Sequence, residues 1–327
     1  GDERGVVRAL DNATGKLRWT AYTSGAMKYP PALWNSRVYV GGGDGYVHCL
    51  QAADGKPLWR FRAAPAERRL PVFGSLLSTW PVGSGVLVDQ GVVFAAAGMH
   101  NYDGTHVYAL DAITGKIRWQ NNSSGHLFET EHDTSGVGVQ SHLLLHEGSL
   151  YLSGGPEVPM AAYDLKTGAC RRKGAGRGKD LFLVKGQVIG TGPPLYWRPD
   201  DWHFIEAGTL QTVNGFVGVA LNTQEIALAA DSKEAKPLII WKAKPFSDVS
   251  AIAVGKNALV VAGVERVEQG EDVKSSASLL AMNLADGKVL WKQPLPAAAV
   301  NFGVAFDRDG RIFVSLRDGR VVCFGGK

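Results

Sequence analysis

Short runs in which apolar and polar residues alternate recur along this chain, each closed by a cluster of glycine, asparagine or acidic residues. VVRAL (Val6–Leu10), YVHCL (Tyr46–Leu50) and HVYAL (His106–Leu110) are runs of this kind. A period of two sends successive side chains to opposite faces, so each run predicts a half-buried β-strand. Longer stretches hold two such runs around a small turn, among them PALWNSRVYVGG (Pro31–Gly42), GVLVDQGVVFAAAG (Gly85–Gly98) and HLLLHEGSLYLSGG (His142–Gly155). DLFLVKGQVIGTG (Asp180–Gly192), AIAVGKNALVVAG (Ala251–Gly263) and GVAFDRDGRIFVSL (Gly303–Leu316) read the same way. Each predicts a β-hairpin, and no stretch sustains the period of a long helix.

The strands belong to a repeat. VVRALDNATGKLRW (Val6–Trp19) returns as YVHCLQAADGKPLW (Tyr46–Trp59), HVYALDAITGKIRW (His106–Trp119) and LLAMNLADGKVLW (Leu279–Trp291), and more weakly as MAAYDLKTGACRR (Met160–Arg172). Counting from Asp11, Gln51, Asp111, Asp164 and Asn283, glycine follows four residues on in all five copies, at Gly15, Gly55, Gly115, Gly168 and Gly287. Trp19, Trp59, Trp119 and Trp291 each stand eight residues after the same starting point. Asp or Asn can cap its own turn through the backbone, and glycine supplies the positive φ of a tight connection. The terminal tryptophan is a large flat body suited to packing between sheets. One such hairpin cannot bury its apolar face alone, so the units must stack.

Two hairpins per unit make four antiparallel strands, and a row of such units is an all-β fold, a β-propeller of four-stranded antiparallel blades. A β-sandwich would not need the same turn five times. The chain reads as a single propeller domain over 1–327, with blade units at 20–59, 60–119, 120–173, 174–241, 242–291 and 292–327, the last closed by 1–19. Trp241 (PLIIW) closes the degenerate fourth unit. Interlocked ends give six blades; otherwise seven are touched and the chain is a piece of a longer one. On these residues the A-L-D-x-x-T-G-K-x-x-W pattern resembles the repeat of PQQ-like propellers, seen in quinoprotein alcohol dehydrogenases and in the propeller lipoprotein of the outer-membrane barrel-assembly machinery. FRAAPAERRLPVFGSLLSTWPV (Phe61–Val82) and the ending DGRVVCFGGK look like uncharacterised bacterial PQQ-like repeat proteins. No Trp-Asp dipeptide supports a WD40 reading.

With strands named A to D in each unit, the A–B and C–D turns share one face of a blade and the B–C and D–A loops share the other. Every A–B turn is short, from Asn35-Ser36 to Asp307–Gly310. The long segments fall on the opposite face: D–A loops Ala63–Pro81 and Asn121–Ser141, and B–C loops Met99–Thr105, Gly192–Gly215 and Val264–Ser278. The C–D exception is Asn222–Pro237, expected as a loop with a helical turn. Long loops without structure of their own are commonly functional, so the decorated face is expected to bind a protein, peptide or glycan.

Candidate residues follow from that face. Trp80, Gln140, Asp180, Ser250 and Asn301 stand near the loop-face ends of A strands, which in propellers line the central channel; Trp197, Asp200 and Trp202 stand in PPLYWRPDDWHF (Pro193–Phe204). These eight form the expected ligand-binding set. His100, Tyr102, His132, Arg198 and His203 are the acid–base candidates for an alternative, an enzyme acting on a carbohydrate or small molecule in the axial funnel. His126, Glu129, Glu131, His132 and His142 offer imidazole and carboxylate ligands for a divalent metal, though their spacing matches no zinc helix pattern. The resemblance implies a quinone resting on a vicinal disulfide and a tryptophan floor beside Ca²⁺; no Cys-Cys pair exists here, so PQQ is not expected, although Trp80 could floor a funnel.

Composition narrows the rest. Apolar residues at 45% and charged residues at 20% permit a packed core and exclude wholesale disorder. The 41 glycines fit a turn-dense chain. Lys+Arg 35 against Asp+Glu 31 leaves +4, which gives no ground for a nucleic-acid partner. The basic run from Arg171 to Lys179 lacks interleaved aromatics and reads as a solvated loop. No G-x-S-x-G or P-loop pattern occurs. Cys49, Cys170 and Cys323 form neither an even framework nor a C-x-x-C site, and Cys49 and Cys323 in apolar strands are expected as small buried hydrophobes. No apolar run is long enough to span a bilayer, and Gly1-Asp2-Glu3-Arg4 has no signal-peptide core, so a periplasmic or secreted location is an expectation carried by the resemblance alone.

Overall fold

The computed structural model describes residues 1–72, 74–100, 103–125, 136–139, 142–154, 158, 160–173, 180–184, 187–191, 210–212, 215–220, 224–230, 238–269 and 272–325. Every named element among them is a β-strand. The chain divides into two compact units, Gly1–Trp197 and Arg198–Lys327.

In the first unit β1 (Val6–Leu10) pairs with β2 (Leu17–Tyr22). A four-stranded sheet follows in chain order, β3 (Ala32–Trp34), β4 (Arg37–Gly41), β5 (Tyr46–Gln51) and β6 (Pro57–Arg62). The hairpin β7 (Arg69–Val72) and β8 (Ser75–Ser78) stands apart from it. The next sheets are β9 (Val86–Asp89), β10 (Val92–Ala97), β11 (His106–Asp111) and β12 (Ile117–Asn121), then β13 (Leu143–His146), β14 (Ser149–Leu152), β15 (Met160–Asp164) and β16 (Cys170–Lys173). A two-stranded sheet, β17 (Asp180–Val184) with β18 (Gln187–Thr191), ends this unit.

The second unit opens with β19 (Leu210–Thr212), β20 (Gly215–Ala220), β21 (Glu225–Ala230) and β22 (Ile239–Ala243). It continues with β23 (Asp248–Val254), β24 (Ala258–Gln269), β25 (Asp272–Asn283) and β26 (Val289–Pro294). The three strands β27 (Ala299–Phe306), β28 (Ile312–Leu316) and β29 (Val321–Phe324) complete it. Strands that follow one another within a sheet pair antiparallel throughout. These are the meandering blades of a β-propeller.

Within each unit the first strands of successive sheets lie against each other: β3 on β9, β9 on β13, β13 on β17, and likewise β19 on β23 and β23 on β27. The middle strands carry the core. In β10 and β11 Val93, Ala95, Val107 and Leu110 are fully buried, whereas outer strands such as β6 alternate between exposed and half-buried residues. Three A–B turns are two-residue hairpin loops, with positive φ at Asn35 and Ser36, at Gln90 and Gly91, and at Glu147 and Gly148. Their backbone twist matches that of the strands they join.

The C–D turns explain the repeat. Asp11 Oδ1 accepts from the amides of Ala13 and Thr14 and from the Thr14 hydroxyl, at 3.1, 2.9 and 2.9 Å. Asp111 and Asp164 repeat the arrangement with Thr114 and Thr167. On four of these turns lies the indole of the preceding sheet. Trp19 donates from Nε1 to Ala52 O at 2.9 Å, Trp59 to Ala112 O at 3.2 Å, Trp119 to Leu165 O at 2.8 Å and Trp241 to Leu284 O at 2.9 Å. Each indole rests on the repeat glycine: a Cβ on Gly55, Gly115, Gly168 or Gly287 would come within 2.5–2.8 Å of that ring. The glycine is therefore required twice, by a φ near 70° and by the aromatic plate above it.

Several sequence expectations change. The D–A loop Ala63–Pro81 contains the β7–β8 hairpin, and the B–C segment Val264–Ser278 is strand up to its tip, because β24 and β25 keep pairing as far as Gln269↔Asp272. Gly192–Gly215 contains β19, and Asn222–Pro237, expected as a loop with a helical turn, contains β21. The stretch 174–241 thus holds two sheets, β17–β18 and β19–β22. The repeat turn is degenerate there, with no glycine between Gln224 and Trp241, so the offsets that located the other blades were missing. Cys49 is buried as expected, but Cys323 is exposed because β29 is the last strand of its sheet.

Trp119→Ala should lower stability by about 3 kcal/mol, the usual range for truncating a buried large aromatic, and Gly168→Ala by about 1–2 kcal/mol for the left-handed backbone alone. Urea unfolding of both variants checks this. The turn carboxylates also set an acid limit. Hydrogen bonds from Arg118 and then Thr114 hold Asp111 down at about 2, and those from Thr14 and Thr167 lower Asp11 and Asp164. Their folded-state values lie below the unfolded value of 3.8, so their contribution is present above that pH and disappears as pH falls toward 2. Melting temperature should fall through this window, and Asp111→Asn should flatten part of the fall.

Candidate functional site

In the first unit the D–A segments fold onto the B–C turns, which puts both sets of loops on one face. The amides of Ala63 and Ala64 donate to Gly45 O, Ser78 N to Gly43 O and Val82 N to Gly42 O. Further along, Gly98 N bonds Pro81 O, Val139 N bonds Met99 O and Gly138 N bonds Gly154 O. Thr105, fully buried, donates its hydroxyl to Val137 O. The A–B and C–D turns pair on the other side, through Ala52 N to Ser36 O, Ala112 N to Gly91 O and Leu165 N to Gly148 O.

The β7–β8 hairpin sits on this floor. Gly43 has no side chain, and a Cβ there would meet Leu77 Cδ1 at 2.7 Å, so the hairpin seats Leu77 over the β4–β5 turn. Glu67 at its base accepts from the Tyr46 hydroxyl. Leu70 and Leu76 remain exposed at 43% and 60%. In the second unit the β24–β25 ribbon extends past its sheet: β23 pairs only as far as Val264 and β26 only as far as Ser278. Val267 and Val273 on the free ribbon are exposed.

Trp80 is half-buried; its indole donates to Asp103 O and meets the His106 ring edge-on at 6.5 Å. Burial holds the His106 imidazole below its ordinary pKa. Trp80 is thus bound to the β10–β11 loop rather than standing at the start of β9, where Ser84 and Gly85 lie. His142 precedes β13; its Nε2 pairs with Leu181 O at 2.9 Å, and Tyr29 packs edge-on against it at 6.2 Å. Asp180 opens β17. Ser250 is buried in β23 at a register irregularity, and among the described residues its Oγ has no hydrogen-bond partner. Asn301 is exposed in an irregular part of β27, beside Phe302, which is 70% exposed with a left-handed φ of 59°. His100 is exposed. Tyr102, His126, Glu129, Glu131, His132, Gln140, Trp197, Arg198, Asp200, Trp202 and His203 lie outside the described residues. Among the described residues no three His, Cys, Asp or Glu side chains converge on a metal site.

The residues do not fit a quinone stacked on a vicinal disulfide. Cys49, Cys170 and Cys323 form no disulfide, burial pushes the Cys49 thiol up to about 11, and the Trp80 N–H is already engaged.

Sequence reasoning missed three features: Tyr29 against His142, the left-handed Phe302, and a buried histidine–carboxylate hydrogen-bonded pair in the β3–β6 sheet. In that pair His48 Nε2 lies 3.0 Å from Asp44 Oδ2, with Asp44 3% exposed. Burial opposes ionisation of Asp44, but bonds from His48 and the amides of Tyr46 and Ser24 outweigh it and hold the carboxyl below its ordinary range. Aligning the repeats exposes the pair, because the other copies carry Arg8, Tyr108, Ala161 and Leu280 at the position of His48.

Trp80→Phe, which keeps the ring and removes the donor, should cost about 1 kcal/mol and speed amide exchange in the β10–β11 loop, measurable by hydrogen–deuterium exchange.

Comparison with known proteins agrees with this architecture. The family model described as outer membrane protein assembly factor BamB matches residues 3–267. Outer membrane protein assembly factor BamB of Nitrosomonas eutropha is 29% identical over 124 residues, 38% of this chain and 26% of that protein. The dehydrogenase subunit of alcohol dehydrogenase (quinone) from Gluconacetobacter polyoxogenes is 29% identical over 126 residues, 35% of this chain and 17% of that protein. The matched stretch therefore spans about a quarter or less of these relatives. Among solved structures, BamB from Moraxella catarrhalis superposes with a TM-score of 0.43 at 12% identity, covering 98% of this chain and 79% of that one. The computationally designed Ika8 protein gives 0.52 at 13%, covering 99% and 91%. No helix among the described residues is long and apolar enough to cross a membrane. With the model matched over residues 3–267, the chain belongs to the outer membrane protein assembly factor BamB family, a family of PQQ-like repeat β-propellers.

Proposed function

We propose that this protein is an extracytoplasmic binding or scaffold module that docks a protein partner on the face bearing its B–C and D–A loops. The observation that carries the reading is the asymmetry between the two faces. In the first unit the turns on one side are short and cap themselves through Asp11, Asp111 and Asp164, while the segments on the other build a seated hairpin that ends in exposed Leu70 and Leu76. In the second unit the B–C segment builds a ribbon that projects past its own sheet and carries exposed Val267 and Val273. Apolar side chains held out on ordered strands cost solvation in the free protein and suit burial against a protein surface. Membership in a family described by an outer-membrane assembly factor supports a partner from that machinery and a periplasmic site of action.

A photo-crosslinking amino acid placed at Leu76 or Val273, in cells of the source bacterium, should give discrete protein adducts. The same probe at Ile113, exposed on a C–D turn of the opposite face, should give none. Adducts from Ile113 with none from Leu76 and Val273 would contradict the proposal.

A further inference from the structure

A second polar constellation lies between β2 and β6. A cleft of about 340 Å³ opens there, lined by Tyr22, Ser24, His48, Leu50, Leu58 and Arg60 among others. Antiparallel register sets His48 directly opposite Arg60 and Tyr46 opposite Arg62, so these four side chains share one face of the sheet. The Arg60 guanidinium lies 4.5 Å from the Tyr46 ring centroid. Among the described residues neither Arg60 nor Arg62 forms an ion pair. The two strands bordering the cleft carry Arg18, Arg60 and Arg62 and no carboxylate. Each is the last strand of its sheet, so its outer backbone groups have no ladder partner there.

The His48–Asp44 pair adds a fixed imidazole to this basic wall. Asp44 occupies Nε2, and among the described residues nothing hydrogen-bonds Nδ1. Packing does not require the pair, since Tyr108, Ala161 and Leu280 fill the same strand position in other sheets. Burying a polar pair is a poor route to stability compared with apolar residues of similar size. The pair instead holds one imidazole at a set angle toward the cleft.

The geometry points to a binding site for an acidic, extended segment of a partner polypeptide. Its carboxylate sits against the Arg60 guanidinium, an apolar side chain lies over Leu50 and Leu58, and its backbone runs past His48 beside the free edge of β6. A charge-assisted bond to the guanidinium selects an acid, and strand addition to an open edge supplies affinity without sequence demands. The volume is at the low end of ligand sites, which suits a short stretch of chain rather than a domain surface. This site uses neither the β7–β8 hairpin nor the β24–β25 ribbon.

The test titrates the full chain with a short acetylated peptide of alternating valine and glutamate, and with its valine–lysine counterpart. Fluorescence anisotropy reads affinity, and the imidazole NMR signals of His48 read location. The glutamate peptide should bind and shift the His48 signals, with the lysine peptide inert. His48→Leu, which copies the residue of another sheet, and Arg60→Gln on the exposed rim should each weaken binding about tenfold or more. Unchanged melting temperature in Arg60→Gln separates lost binding from lost fold. Equal binding of the lysine peptide, or full affinity in both variants, overturns the proposal. So does inorganic phosphate shifting His48 while the glutamate peptide does not, which would leave an anion site without a polypeptide ligand.

Discussion

The indole laid on a glycine turn is the contact on which the rest of this structure depends. A four-stranded blade presents two apolar faces and can bury neither alone, so each needs a neighbour at a fixed distance and angle. Trp19, Trp59, Trp119 and Trp241 supply that neighbour relation, each spanning the gap to the following C–D turn and ending in a hydrogen bond to one carbonyl. The plate fixes spacing and the N–H fixes register. Asp11, Asp111 and Asp164 stiffen the turns through local hydrogen bonds, and three of the clasps close on a turn of this repeat that bears Gly55, Gly115 or Gly168.

That arrangement also explains which segments are elaborated. A C–D turn that carries an indole cannot lengthen without lifting the carbonyl and glycine from beneath the ring. B–C and D–A segments carry no such duty, and the chain builds β7–β8 and the β24–β25 ribbon from them. Arg172 stands where the other copies have tryptophan, and among the described residues the sheet that follows, β17–β18, has two strands.

The repeat made the blades legible because its offsets are physical: an aspartate two and three residues before the amides it caps, and a glycine under an aromatic. Where the turn lost its glycine, between Gln224 and Trp241, the reading slipped by two strands. Alternation within Val264–Ser278 was masked by charged residues on both faces, as befits a ribbon with no core to cover. The candidate site was less legible. Trp80 carried the right chemistry but serves as a loop clamp, since side-chain direction is set by what the next blade presents, here Asp103 O and His106. The Asp44–His48 pair was visible only as an exception among aligned copies, which a search for common features passes over.

The clasp can be tested through its reach. Native-state hydrogen exchange of the full chain, comparing Trp241→Ala with the wild type, reports whether one indole couples two sheets. Protection should fall together in β21 of one sheet and in β25 of the next, because the Trp241 ring spans from Leu228 on its own sheet to Leu284 and Gly287 on its neighbour. Loss confined to residues 284–288, with β21 and β25 protected as before, would contradict the claim that these contacts hold the blades in place.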